Sequence, residues 1–159
     1  MTDYSRLTSS WSYWANLAHF QNVSVSTSCE DCSIRFASSD YSVHLRTEDT
    51  WWIIDTVDDR GQRNADAAKF SDYELTEKYL IWTWASLARS AIGAPPLGPG
   101  LYSQGFAPAV DAVEIRAGIY ELQMGEERAV LVEPYATIFS HLLGKPVIEI
   151  EQMVRQGIE

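Results

Sequence analysis

Residues 71–93 read SDYELTEKYLIWTWASLARSAIG, and this stretch decides the fold. Ser71 followed by Glu74 has the spacing of a capping box, and Phe70 and Leu75 are placed for a hydrophobic staple across the same helix start. Leu80, Trp84, Leu87, Ala88 and Ala91 recur at helical spacing as one apolar stripe, and Glu74 and Lys78 pair at i, i+4. Gly93 supplies a left-handed stop before Pro95 and Pro96, which cannot continue a helix. A helix with a single apolar stripe needs a second layer to cover that stripe, and the flanking sequence supplies strands.

Upstream, Val23-Ser24-Val25 and Ile34-Arg35-Phe36 are short strand candidates. Tyr41, Val43 and Leu45 then alternate with Ser42, His44 and Arg46, the period of a half-buried antiparallel strand. Trp51-Trp52-Ile53-Ile54 is apolar on both faces and reads as a central strand, followed by the acidic turn Asp58-Asp59-Arg60-Gly61. Adjacent strand residues point to opposite faces, so one of Trp51 and Trp52 lies on the second face, where a covering helix is expected and an exposed ring open to binding is the alternative. Trp11, Trp14, Ala15 and Ala18 place a short amphipathic helix behind Thr8-Ser9-Ser10, ending near Phe20. Downstream, Val113, Ile115, Ala117 and Ile119 alternate with polar residues, and the Gly125-Glu126-Glu127 turn leads into Ala129-Val130-Leu131-Val132 as a hairpin. Tyr135, Ile138, Phe139 and Leu142 mark a helix closed by Gly144, and Val147 to Gln156 marks another. The reading is α+β: an antiparallel sheet of about six strands, a meander plus a C-terminal hairpin, packed with about four helices. Residues 1–159 are expected to form one domain.

Between the second helix and the hairpin runs GAPPLGPGLYSQGFAP, residues 93–108, with neither helical nor strand period. Loops of that length in compact domains are usually functional. Leu97, Leu101, Tyr102 and Phe106 supply apolar bulk that a solvated linker would not need, so the stretch is expected to touch another molecule. Tyr102 and Phe106 are the expected anchors, assisted by Leu97, Leu101 and Gln104, with Asp58 and Asp59 acting as rim charges.

The chain has 22 acidic and 12 basic residues, a formal net charge of −10 spread along its 159 residues. Such a surface repels nucleic-acid phosphates and anionic lipid and favours a basic protein partner. The start MTDYSRLTSSW lacks the pattern of a signal peptide, and no apolar run approaches the roughly 20 residues of a membrane span, so a cytoplasmic protein is expected. Two cysteines make no disulfide framework, in keeping with a reducing compartment.

No constellation of catalytic groups is legible. Cys29-Glu30-Asp31-Cys32 has the spacing of a redox pair or half a zinc knuckle, but zinc needs four ligands and no second Cys/His pair is present. Two intervening carboxylates disfavour a reactive thiolate, which leaves free thiols in a turn. His19, His44 and His141 lack a partner in sequence. Asp58-Asp59 and Glu126-Glu127 are expected in solvated turns, where carboxylate pairs ordinarily carry no catalytic duty. Gly98-Pro99-Gly100 is no phosphate loop, because Pro99 has no N–H to offer and no Gly-Lys-Ser/Thr follows. No cofactor, metal or enzymatic activity is expected.

The order of parts is nevertheless distinctive: the Trp-rich N-terminal helix, a meander containing Thr50-Trp51-Trp52, the helix with Tyr79-Leu80-Ile81-Trp82-Thr83-Trp84, and the Gly/Pro stretch before a final hairpin. Over most of the chain this layout resembles the antitoxin (immunity factor) family of tuberculosis necrotizing toxin, found with bacterial polymorphic toxins. The resemblance implies a non-catalytic cytoplasmic protein that binds a cognate toxin, one to one, and occludes the substrate cleft of its NAD-hydrolysing domain. Two other readings stand beside it: a small enzyme or ligand-binding domain whose pocket is roofed by residues 93–108, and a subunit that buries the same stretch in a homodimer.

Overall fold

The computed structural model describes residues 2–158. Eight strands and five helices occur among them: α1 Ser5–Leu17, β1 Ser24–Ser26, β2 Ile34–Ala37, β3 Tyr41–Glu48, β4 Trp51–Asp58, β5 Arg63–Phe70, α2 Tyr73–Ile92, α3 Gly98–Tyr102, β6 Asp111–Arg116, β7 Ile119–Met124, β8 Glu127–Val132, α4 Tyr135–Ser140 and α5 Val147–Val154. The strands form one sheet in the order β1-β2-β3-β4-β5-β8-β7-β6, with every neighbouring pair antiparallel. The α+β class, the meander and the C-terminal β-structure are as the sequence predicts.

Two strands exceed the expected count. Residues 113–119 form two strands rather than one, because Gly118 adopts φ +76° and reverses the chain between β6 and β7. β5 has an almost featureless sequence, yet it is held on one edge by β4 and on the other by β8.

α2 starts one residue later than the capping box implied. Asp72 is the N-cap, and its carboxylate accepts the Leu75 N–H at 2.9 Å. Ser71 is occupied elsewhere: its N–H donates to Arg128 O and its Oγ accepts from Arg128 N–H, which carries the β5–β8 pairing one residue further. The Glu74–Lys78 pair forms at 3.7 Å, and Gly93 closes the helix at φ +74°.

One buried cluster joins the helices to one face of the sheet. Trp84 packs on Trp11 and Phe36 at ring-centroid distances of 5.1 and 4.9 Å, above Val43, Leu45, Ile54, Leu122 and Leu131. Burying these large rings contributes about 2–3 kcal/mol for each fully covered side chain. Trp52 faces this layer and packs on Tyr73 at 5.1 Å. Trp51 faces the other way, beneath the Arg128 guanidinium at 4.8 Å, so the helix expected over the second face is absent among the described residues.

Candidate partner-binding surface

Residues 93–108 are built into the body of the protein rather than hanging from it. Arg89, in the last turn of α2 and 3% exposed, donates from Nε and Nη2 to Pro95 O at 3.0 and 2.7 Å. Its Nη1 donates to Val154 O and Gln156 O at 2.9 and 2.7 Å, so one guanidinium ties the start of the segment to the end of α5. Its planar fork suits several carbonyls at once, which an ammonium could not match. The middle of the segment is the short helix α3, a correction to the irregular loop read from its Gly and Pro content. Leu97 and Leu101 turn inward against the core, and a side chain at position 98 would press on Ile138 Cδ1 at 3.2 Å, so Gly98 lets α3 lie close on α4.

The far end is pinned by α4. Ala107 N–H donates to Ser140 Oγ at 2.9 Å, and His141 Nε2 donates to Gly105 O at 2.7 Å. Phe106, expected as an anchor for another molecule, is half-buried and packs on Tyr120 at 5.0 Å, against the core of its own chain. Tyr102 remains 49% exposed and Gln104 is exposed beside it. The aromatic pair thus divides: Phe106 holds the segment and Tyr102 is presented.

The sheet opens next to this segment. β5 pairs with β8 only over Ala68–Phe70, so the first half of β5 separates from β8. Tyr41, Thr56, Asn64, Leu87, Val132 and Tyr135 line the resulting hollow. Leu87 is 38% exposed, against its expected place in the buried stripe of α2, and Val132 and Tyr135 are also exposed. Tyr135 lines a second hollow together with Leu97, Gly98 and Pro99, so the two hollows meet at this ring. Sequence reasoning misses Leu87, Val132 and Tyr135 because each obeys the pattern of its own element. Only the splitting of two strands uncovers them.

Asp58, the last residue of β4, and Asp59, in the β4–β5 turn, both lie exposed beyond Thr56. Asp58 Oδ1 accepts the N–H groups of Arg60 and Gln62 at 2.9 and 2.8 Å, which shapes the turn. No hydrogen bond or ion pair among the described residues joins these acids to residues 93–108.

The open face of the sheet carries a charged network centred on Asp55, which is 2% exposed. Asp55 Oδ2 accepts from Arg46 Nε at 3.0 Å and Arg63 Nη2 at 2.8 Å, while Oδ1 accepts the Asp66 N–H at 2.8 Å. Burial alone raises the Asp55 pKa, but the hydrogen bonds from Arg63, Arg46 and Asp66 outweigh it and hold the carboxyl below its ordinary value. The Asp66 contact fixes a bulge in β5 at the register shift opposite Ile54–Thr56, where Asp66 itself sits at φ +55°. Arg63 continues to Asp31 at 2.8 Å, and Asp31 lies 3.5 Å from His44 Nδ1. Burial, then the nearby Arg63 charge, lower the His44 pKa. Cys29 and Cys32 flank Asp31 and are joined as a disulfide, which corrects the expectation of free thiols. Their Cα atoms are 5.3 Å apart, inside the span a disulfide requires, and no compartment argument from cysteine number bears on that geometry.

The protein-family model described as Immunity protein 61 matches residues 14–156. The chain belongs to the Immunity protein 61 family. The likeness to bacterial immunity factors, read from the order of elements, is borne out at that level, and the family places the chain among antitoxins that bind a cognate toxin. Among solved structures, Rv3902c from M. tuberculosis has a similar fold, with a TM-score of 0.69 at 16% identity, covering 91% of this chain and 86% of that one. No curated protein matches the immunity protein. No helix among its described residues is long and apolar enough to cross a membrane.

Proposed function

We propose that this immunity protein is a non-catalytic, cytoplasmic inhibitor that binds the NAD-hydrolysing domain of a cognate toxin, one to one, and closes its active site with residues 93–108. The observation that carries this reading is a surface segment fixed at both ends, by Arg89 on Pro95 and by α4 on Gly105 and Ala107, with Tyr102 and Gln104 left exposed between the anchors. A segment already ordered before binding loses less conformational entropy on entering a cleft, so more of its contact energy appears as affinity. Tyr102 offers a rigid, amphipathic ring of the kind that dominates interface energetics. Leu97, Leu101 and Phe106 act from behind, by holding that ring in place.

Leu87, Val132 and Tyr135 extend the contact as a flat apolar flank, and Asp58 and Asp59 stand at its rim. The net charge of −10 draws a basic toxin surface and repels nucleic-acid phosphates and anionic lipid, so neither of those is a partner in this proposal.

The direct test is NAD hydrolysis by the cognate toxin domain. One equivalent of immunity protein is expected to abolish the activity, while the immunity protein alone leaves NAD unchanged. Toxin turnover that persists at excess inhibitor, or NAD consumption by the purified chain, refutes the proposal.

A further inference from the structure

We infer that, once the Cys29–Cys32 disulfide is reduced, Cys29, Asp31, Cys32 and His44 bind one zinc ion. One ligand atom from each of these four residues lies within 4.8 Å of the others. Three edges of the group lie within about 0.4 Å of those of a metal tetrahedron. Cys29 Sγ is 3.2 Å from Asp31 Oδ1 and 3.8 Å from His44 Nδ1, and Asp31 Oδ1 is 3.5 Å from His44 Nδ1. With zinc bonds of about 2.3 Å to sulfur and about 2.0–2.1 Å to nitrogen or oxygen, tetrahedral angles place such atoms about 3.3–3.6 Å apart.

The contact between Cys29 Sγ and the Asp31 carboxylate, at 3.2 Å, is not a hydrogen bond in the oxidised chain. A disulfide sulfur carries no proton to donate, so in the oxidised chain two electron-rich atoms face each other. After reduction, a cation between them removes the conflict. The elements also supply the support a metal site needs. Arg63 binds the outer oxygen of Asp31 at 2.8 Å and is itself fixed by buried Asp55, so the carboxylate is oriented from behind. Two thiolates and one carboxylate give the zinc complex a net charge of −1, which the Arg63 guanidinium offsets. The group lies at an open depression lined by Ser28, Cys29, Glu30, Asp31, Arg35 and His44, through which an ion reaches it. Sequence spacing shows only half a knuckle; the β2–β3 pairing brings His44 to the other half.

The chemistry balances with a dithiol as reductant. The dithiol gives two electrons and two protons to the S–S bond and becomes a disulfide itself. Zinc then displaces both thiol protons to solvent, as metal binding to cysteine requires. Disulfide and zinc are therefore alternative states of one site, set by redox conditions.

The test uses the whole chain in oxidised form and after reduction with a dithiol that is then removed. Each is titrated with zinc(II) alone against a chromophoric chelator, and bound metal is counted by atomic emission. One zinc per reduced chain is expected, and none per oxidised chain. Cobalt(II) in place of zinc should give thiolate charge-transfer and tetrahedral ligand-field bands. Asp31→Asn, at an exposed position, and His44→Gln should each weaken zinc binding at least about tenfold while circular dichroism shows the fold retained. Absence of zinc uptake by the reduced chain, equal uptake by the oxidised chain, or parental affinity in Asp31→Asn overturns the assignment.

Discussion

Replacing Tyr102 and Phe106 separately by alanine distinguishes a residue that touches the partner from one that positions it. Tyr102 is 49% exposed, so its loss should change folding stability by no more than about 0.5 kcal/mol, as for other surface positions. Phe106 is half-buried against Tyr120 at 5.0 Å. Full burial would make Phe→Ala cost about 3–5 kcal/mol, and half of that gives about 2 kcal/mol. In a chain of this size, a loss of that size lowers Tm by about 4–8 °C. Binding should respond differently. Tyr102→Ala removes an interface anchor worth about 2 kcal/mol, a factor of about 30 in Kd that falls mainly on the dissociation rate. Phe106→Ala should weaken binding as well, but only together with the fall in Tm. Thermal melts by circular dichroism and toxin-binding kinetics on an immobilised immunity protein read the two effects apart. A Tyr102→Ala variant that dissociates at the parental rate removes the 93–108 segment from the interface. A Phe106→Ala variant with an unchanged melt refutes its assignment as the internal brace.

Other outcomes follow from the same structure. Asp55→Ala strands Arg46, Arg63 and the Asp66 N–H; because both arginines reach water, the loss should be about 2–3 kcal/mol rather than the 3–5 kcal/mol of a fully buried pair, and a chemical-denaturation midpoint measures it. The folded Asp55 pKa lies below its unfolded value near 4, so its ionic stabilisation is present above about pH 4 and disappears as pH falls through the folded value. The Tm gap between the parent and Asp55→Asn should therefore be constant near neutrality and close in acid, and a gap that widens on acidification contradicts this. Leu87→Arg places a charge on the apolar flank and should weaken toxin binding at least about tenfold with little change in Tm, since Leu87 is already 38% exposed; parental affinity would take the flank out of the contact. Neutralising Asp58 and Asp59 together as asparagines, which keep the oxygens that accept the turn N–H groups, should slow association and flatten its dependence on salt while leaving dissociation unchanged.

The sequence by itself determined the elements whose residues carry their own boundaries and faces. The long helix is legible because Gly93 and the two prolines stop it and because Leu80, Trp84 and Ala88 repeat at its period, although Asp72 rather than Ser71 caps it. β3 is legible because Val43 and Leu45 alternate with His44 and Arg46. The 93–108 segment was legible as a place of interest, since its apolar residues have no periodic element to serve. Tertiary structure decided the rest. β5 is a strand because two neighbours hydrogen-bond its backbone, a cause that its side chains do not encode. Which aromatic in the segment braces and which is presented depended on Tyr120 and Ser140 arriving from the later hairpin and α4. Leu87 was left open by a sheet that splits after three paired residues, and Asp31 and His44 met beside the cysteines through strand register. Periodicity reports how a residue sits within its own element, and it is silent about contacts made across distant chain segments, where both the proposed partner surface and the cysteine cluster are formed.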